Sequence, residues 1–403
     1  MKRREVIKNL SLLPVSGAVL GTSATLGLGI SSCSAPTRDI FKELGIRTFI
    51  NAAGTYTALS GCIMMEDVRE TIRHSATKYA AIEEVQDKVG AKIAELCHAE
   101  SAMVTAGCWS ALVLGTAGVL TGTDQKKVSE LPHLENMKSE VIVQKAHNHG
   151  YVHALTNTGI KVVEIETLED FEKAVNEQTA MMWFLNYAGP EGQIQDKEWV
   201  ELGKKHNIPT MIDMAADSTP VTNLWKFNDM GFDLVCVSGG KGLTGPQSAG
   251  ILMGKKDLIA AARLNAPPRG GNIGRGMKVN KEEILGMYVA LEKFIHRDHE
   301  KQWKIWEDRI AVMENAVKSI DGVTATVTVP PVANITPTLT ISWDIEKVKI
   351  SCADFRANLR KGDPSIEMMG GKDTLVITAW MLQDGEESIV AAKLAEELKK
   401  ASA

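Results

Sequence analysis

Val235-Cys236-Val237-Ser238-Gly239-Gly240-Lys241-Gly242 is the stretch on which the reading of this chain turns. An apolar strand pattern ends in Ser-Gly-Gly-Lys. The paired glycines let the backbone approach another group closely. The lysine follows at the carboxyl end of a strand, where open α/β sheets place their ligands. Desolvation at such a position lowers a lysine pKa and frees the amine for Schiff-base chemistry. The plain alternative is a solvated loop lysine, and the glycine pair with Ser238 argues against it.

Working outward, apolar runs recur at 102–105, 141–144, 161–165, 180–185, 210–213, 233–237 and 250–253. Helical patterns fall between them, as at 88–96, 168–175 and 197–206. Strand–helix alternation with apolar strands predicts a large, mostly parallel seven-stranded sheet covered on both faces. The strand 210–213 ends in Asp213. A carboxylate there is either a helix N-cap or the partner of a protonated pyridine nitrogen. Asp217 is the alternative carboxylate, and Ala215 is small enough to lie flat against a ring. Thr105-Ala106-Gly107-Cys108-Trp109-Ser110 follows the first strand and opens a helix pattern. Free N–H groups at Gly107 and Cys108, with the helix dipole, favour a phosphate there. Ser238 is a second phosphate ligand candidate. His147-Asn148-His149-Gly150 follows the strand 141–144. Two histidines at i, i+2 do not share a helix face. We therefore expect one imidazole stacked on a planar ring, His147 first and His149 next, and no metal site.

The texture changes near residue 280. Asn280 and Glu283 have capping-box spacing, and helical periodicity runs from 281 to about 320. Strand candidates at 324–329, 338–343 and 374–379 and helices at 352–359 and 386–400 predict a small α+β domain without a chemical motif. The expected division is an export signal at 1–33, a large domain at 34–279, and a linking helix with a small domain at 280–403. Arg269 and Arg275 flank a glycine-rich stretch at 270–274. Either arginine is suited to clamp a substrate carboxylate by a bidentate pair.

Composition excludes several classes. The chain has 403 residues, 44% hydrophobic and 24% charged, so it is neither disordered nor a multipass membrane protein. The net charge is −5, but residues 1–32 carry +3, which leaves −8 on the rest. An acidic body with 5% aromatics argues against nucleic acid as a partner. Lys2, Arg3, Arg4 and Lys8 precede a diluted apolar run to Ile30, the order of a secretory signal with a twin-arginine pair. Ile30-Ser31-Ser32-Cys33 resembles a lipobox. We expect export to the periplasm, with membrane attachment only through a lipid anchor on Cys33. The six cysteines show neither metal spacing nor C-x-x-C, so a disulfide framework is not expected.

Lysine, ring aspartate, phosphate turn and histidine together resemble the fold-type I pyridoxal-phosphate enzymes. The branch of the selenocysteine synthases (L-seryl-tRNA selenium transferases) and D-glucosaminate-6-phosphate ammonia-lyases is the most similar. The likeness runs through Ile50-Asn51-Ala52-Ala53-Gly54-Thr55, Ala99 to Gly107, His147 to Ala154, Ser238 to Gly250 and Ile273 to Val279. It implies an α/β fold-type I architecture with pyridoxal 5'-phosphate on Lys241, Asp213 at the ring nitrogen, and Thr55, Arg269 and Arg275 toward substrate. The segment before Ile50 is too short for a tRNA-binding extension, and an exported protein does not meet aminoacyl-tRNA. The implied activity is therefore α,β-elimination from a 2-amino-3-hydroxy acid, such as an amino-sugar acid, in a homodimer or larger homo-oligomer. Racemisation, aldol cleavage, selenium transfer and a non-catalytic binding role are the alternatives.

Overall fold

The computed structural model describes residues 38–402. The expected signal and lipobox lie outside the described residues. Residues 38–47 belong to a unit of their own. Within it a short helix, Ile40–Glu43, is capped by Asp39, which accepts from the Lys42 N–H at 3.2 Å.

From Thr48 onward the strands are, in chain order, β1 (Ile50–Asn51), β2 (Ser101–Thr105), β3 (Glu140–Gln144), β4 (Lys161–Ile165), β5 (Thr179–Leu185), β6 (Thr210–Asp213), β7 (Leu234–Ser238), β8 (Gly250–Gly254), β9 (Val323–Thr328), β10 (Thr338–Trp343), β11 (Ile366–Glu367), β12 (Met369–Gly370) and β13 (Leu375–Thr378). The large sheet has the order β2-β8-β7-β6-β5-β3-β4. It is parallel except at β8, which runs antiparallel to both β2 and β7. Each apolar run read from the sequence became one of its seven strands.

Those strands are apolar on both faces because both faces are covered. Ile212, Val235, Val237, Ile251 and Met253 point into one core. Met211, Leu234, Cys236 and Leu252 point into the other. Helices Ile82–Leu96 and Lys281–His296 line the first core, and helices Gly107–Thr121 and Lys256–Leu264 the second. Helix Gly107–Thr121 has no polar stripe, since it is packed between the sheet and a neighbouring helix. A Cβ on Gly118 would lie 2.7 Å from the Ala262 nitrogen, so glycine is what lets the two helices meet.

The helical stretch expected from 281 to about 320 is two helices, Lys281–His296 and His299–Val317. Asp298 is the reason: its side chain accepts from the Lys301 N–H at 2.9 Å and starts a new helix, while Arg297 turns extended. The capping box is present, with Asn280 accepting from the Glu283 N–H at 2.7 Å. The first helix gives Ile284, Met287, Ala290, Leu291 and Phe294 to the large-sheet core. The second gives Ile310, Met313 and Val317 to a separate core with the antiparallel sheet β12-β13-β10-β9. Ile50 of β1 joins that separate core, and β1 pairs in parallel with β11. Among the described residues no helix is long and apolar enough to cross a membrane.

Candidate active site

Pairing through β8 assembles one end of the site. Gly250 faces Thr105 of β2 on one side and Ser238 of β7 on the other. The Thr105–Gly107 turn and Ser238 therefore stand in one row. Gly250 must lack a side chain, because a Cβ there would lie 2.5 Å from the Gly107 carbonyl carbon. Gly107 has φ +79°, and it opens a 15-residue helix with no side-chain cap at its N-terminus. The Ser110 hydroxyl donates to the Ala106 carbonyl at 2.7 Å, and Thr105 donates to the Gly107 carbonyl at 2.9 Å. Neither hydroxyl serves the first N–H groups of the helix, which are left for an anion. Ser238 is half-buried and makes no side-chain hydrogen bond among the described residues. The donor set fits a phosphate.

Asp213 ends β6 between Leu185 of β5 and Cys236 of β7. It is buried, and its Oδ1 accepts from the Ala215 N–H at 3.0 Å and from the Cys108 thiol at 3.7 Å. Its Oδ2 has no hydrogen-bond partner among the described residues. Burial pushes the carboxyl above its ordinary range, against the pull of the Ala215 N–H, the Lys241 charge and the Cys108 thiol. A carboxylate so buried, with one oxygen unclaimed, fits a protonated ring nitrogen. Lys241 follows β7 in a turn, half-buried; its carbonyl accepts from the Thr244 N–H at 2.9 Å, while its side chain makes no hydrogen bond or ion pair among the described residues. Its charge is felt by Asp213, Asp217 and Cys108, so the fold does bring these groups together.

Cys108 lies in the first turn of the helix, and its thiol faces Asp213 at 3.7 Å. The bond to Cys236, burial and the Asp213 charge raise that thiol well above its ordinary pKa, so it is no nucleophile. Ala215 is half-buried beside Asp213.

Three expectations change. His147 has no exposed surface, so its ring offers no face to a cofactor. Its Nδ1 accepts from the Leu185 N–H at 3.2 Å, and its ring meets Phe184 edge-on at 4.4 Å. Burial lowers its pKa to about 4, against a hydrogen bond to the Ala188 carbonyl. His147 is a core residue that ties β3 to β5. His149 is exposed, 6.4 Å from the Tyr187 ring. Asp217, the alternative carboxylate, accepts from the Ala333 N–H at 2.7 Å and so fastens a small-domain loop instead. Arg269 is paired with Glu83 at 3.0 Å and donates to the Arg263 carbonyl at 3.1 Å. Its guanidinium is committed to the surface.

Arg275 is exposed and lines a cavity of about 350 Å³ along the edge of β2, with Gln86, Thr105 and Lys278. Neither Lys241 nor Asp213 lines it. Thr55 is half-buried next to Gly54, whose turn is held by Asn51 and by a bond from the Thr378 N–H to the Ala52 carbonyl at 2.9 Å. No sequence signal marks the small-domain residues in this neighbourhood, Ala333, Thr378 and Trp380. They reach the site by tertiary packing across more than a hundred residues.

The family model for L-seryl-tRNA selenium transferase matches residues 153–321. D-glucosaminate-6-phosphate ammonia lyase of Salmonella typhimurium is 24% identical over 89% of this chain and 98% of its own. A solved structure of a D-glucosaminate-6-phosphate ammonia-lyase superposes with a TM-score of 0.79 at 23% identity, covering 91% of this chain and all of that one. A 5'-C-glycyluridine monooxygenase-decarboxylase of Streptomyces is 26% identical over 87% of this chain and 90% of its own. Serine palmitoyltransferase from S. paucimobilis with bound PLP shares the fold, with a TM-score of 0.56 at 12% identity over 88% of this chain and 89% of that one. With Lys241, Asp213 and the phosphate turn in place, the chain is a pyridoxal-phosphate enzyme with the fold-type I architecture, similar to the selenium transferases over 153–321 and to the ammonia lyases along most of its length.

Proposed function

We propose that the chain is a lyase that removes the β-hydroxyl and the amine from a 2-amino-3-hydroxy acid such as an amino-sugar acid. The observation that carries this reading is Asp213, buried at a strand end within the field of Lys241 and with one carboxylate oxygen unclaimed. Similarity along 98% of an ammonia lyase supports it.

Pyridoxal phosphate supplies an aldehyde that condenses with amines and a ring that accepts an electron pair. The N–H groups at Gly107 and Cys108 and the Ser238 hydroxyl would hold its phosphate. Lys241 would hold the aldehyde carbon until substrate amine replaces it. Its freed Nζ would then take the Cα proton. Asp213 would keep a proton on the ring nitrogen. His149 takes over the ring contact expected of His147. Arg275, rather than Arg269, is the arginine proposed for the substrate carboxylate. Overall, the β-hydroxyl leaves, water replaces nitrogen at Cα, and the products are a 2-keto acid and ammonia.

Ammonia and 2-keto acid release from D-glucosaminate and D-serine tests the reaction. Equal amounts of both products are expected. Cα proton exchange without ammonia would move the reading to a racemase, and release of an aldehyde to an aldolase. Group transfer is the second reading, favoured by the family match over 153–321. Retention of both Lys241 and Asp213 speaks against a non-catalytic binding protein.

Export and homo-oligomerisation belong to the same proposal. Arg3-Arg4 and Ile30-Ser31-Ser32-Cys33 support a periplasmic or lipid-anchored protein acting on an unphosphorylated substrate. A cytoplasmic protein with Met1 intact, found on cell fractionation, would refute that. An active monomer at micromolar concentration in sedimentation would refute the oligomer.

A further inference from the structure

Two polar side-chain atoms of the small domain are buried without a hydrogen-bond partner where that domain meets the Lys241 turn. They are Thr378 Oγ1 and Trp380 Nε1. Buried polar groups are nearly always paired, so each such orphan calls for an explanation. These two converge. The point where a Cβ would stand on Gly54 is 3.3 Å from Trp380 Nε1 and 3.7 Å from Thr378 Oγ1. Gly54 has φ +116° and no side chain, and this lets both orphan atoms lie close against its backbone. The third nearest atom is Tyr56 Cε2 at 3.8 Å, and the Tyr56 ring is 45% exposed.

The same indole ring borders the chemistry. Trp380 Cζ3 is 3.2 Å from where a Cβ would stand on Gly242, the residue after Lys241. Thr55, between Gly54 and Tyr56, is half-buried. The indole thus spans from the N-terminal turn, which its Nε1 edge and Thr378 Oγ1 approach, to the lysine turn, which its opposite edge approaches. No carboxylate or cation is paired with either.

We propose that Thr378 and Trp380 form a specificity subsite that reads a neutral hydroxyl on the chain of the substrate, with Tyr56 as the ring that covers the subsite until substrate enters. The polarity fits a hydroxyl. An indole N–H only donates, while a threonine hydroxyl also accepts. A substrate O–H receives from the first and gives to the second. A carboxylate has no proton to give. Tyr56 must turn aside, because both orphan atoms are closed to solvent as they stand. Its half-exposed ring is held by no side-chain hydrogen bond among the described residues. The subsite deepens the lyase reading by selecting polyhydroxylated acids over short ones such as serine, and it rests on that reading for the placement of substrate.

The test is equilibrium binding to the cofactor-loaded protein of two unreactive acids, D-gluconate and L-lactate, which differ in their chain hydroxyls. Wild type is expected to bind D-gluconate at least about tenfold more tightly. Trp380→Phe and Thr378→Val should each remove about three- to tenfold of that preference, with L-lactate binding and the visible spectrum of the cofactor unchanged. Tyr56→Ala should keep or increase the preference. No preference in wild type, or an equal loss for both acids in the variants, would overturn the subsite. An unchanged preference in both variants would assign the orphans to a structural water and overturn it as well. Ammonia release from amino acids, measured separately, reports whether the lyase reading itself stands.

Discussion

At the ends of β2, β6 and β7 the backbone is the constraint, whereas at Thr378–Trp380 only packing is. The first region announces itself. A turn that bares helix N–H groups needs Gly107 at positive φ, and its approach to β8 needs Gly250. A lysine placed beyond a buried strand needs Gly239 and Gly240, which meet Met287 and Gln247 at 2.3–2.4 Å from their missing Cβ atoms. These demands leave glycines next to chemical residues at short spacing. The second region makes no such demand. Thr378 and Trp380 read as the end of an ordinary strand, and only their unmet hydrogen bonds mark them. Residues placed by backbone constraint leave local traces in the sequence, while residues placed by packing alone leave none.

Asp213→Asn breaks the first region while leaving the second intact, and its effect should be the largest. Losing the charge opposite the ring nitrogen resembles breaking a buried pair, about 3–5 kcal/mol or roughly 10²–10⁴-fold. The loss should appear in kcat for every substrate, long or short. Trp380→Phe should instead spare kcat and weaken the long acids alone, so that the preference for them over short ones falls. Steady-state kinetics on D-glucosaminate and D-serine separates the two patterns, and a substrate-selective loss in Asp213→Asn would erase the contrast.

His147 gives a stability effect without a catalytic one. Its folded pKa is about 4, below the ordinary value of 6.5. Between those values the unfolded chain takes up a proton that the folded chain refuses. Stability should therefore fall as pH drops from about 6.5 to about 4, and His147 should stop contributing to the fall below that. The contribution is on the order of 2–3 kcal/mol. Denaturant melts across this interval should show a flatter dependence in His147→Asn. An unchanged slope would return His147 to the solvent side of the site.

Arg269→Ala should have the smallest effect. Its partner Glu83 is itself partly exposed, and such pairs contribute within about 0.5 kcal/mol. Turnover and substrate KM should stay within about twofold of wild type. A large rise in KM would restore Arg269 as a substrate clamp.

The fold was legible because the large sheet is buried on both faces, which turned seven strands into seven apolar runs. The capping box at Asn280 was legible for the same local reason. Continuous periodicity from 281 hid the break at Arg297–Asp298, because Asp298 also satisfies the pattern of a solvated helix face. His147 misled because a histidine after a strand looks the same whether its ring points into the core or the cleft. Arg269 misled because its partner Glu83 lies nearly two hundred residues earlier. Lys241, Asp213, Ser238 and the Gly107 turn were legible as candidates because each sits at or just beyond a strand end, and strand order brings those ends together.

Lys241 is the residue proposed to be joined to the cofactor. Borohydride reduction of the cofactor-loaded protein, followed by peptide mapping, tests it most directly. A pyridoxyl label confined to the peptide carrying Lys241, and lost in Lys241→Ala, is the predicted result. A label on another lysine, such as Lys278 in the cavity beside β2, or no label on a protein that still binds the cofactor, would contradict it.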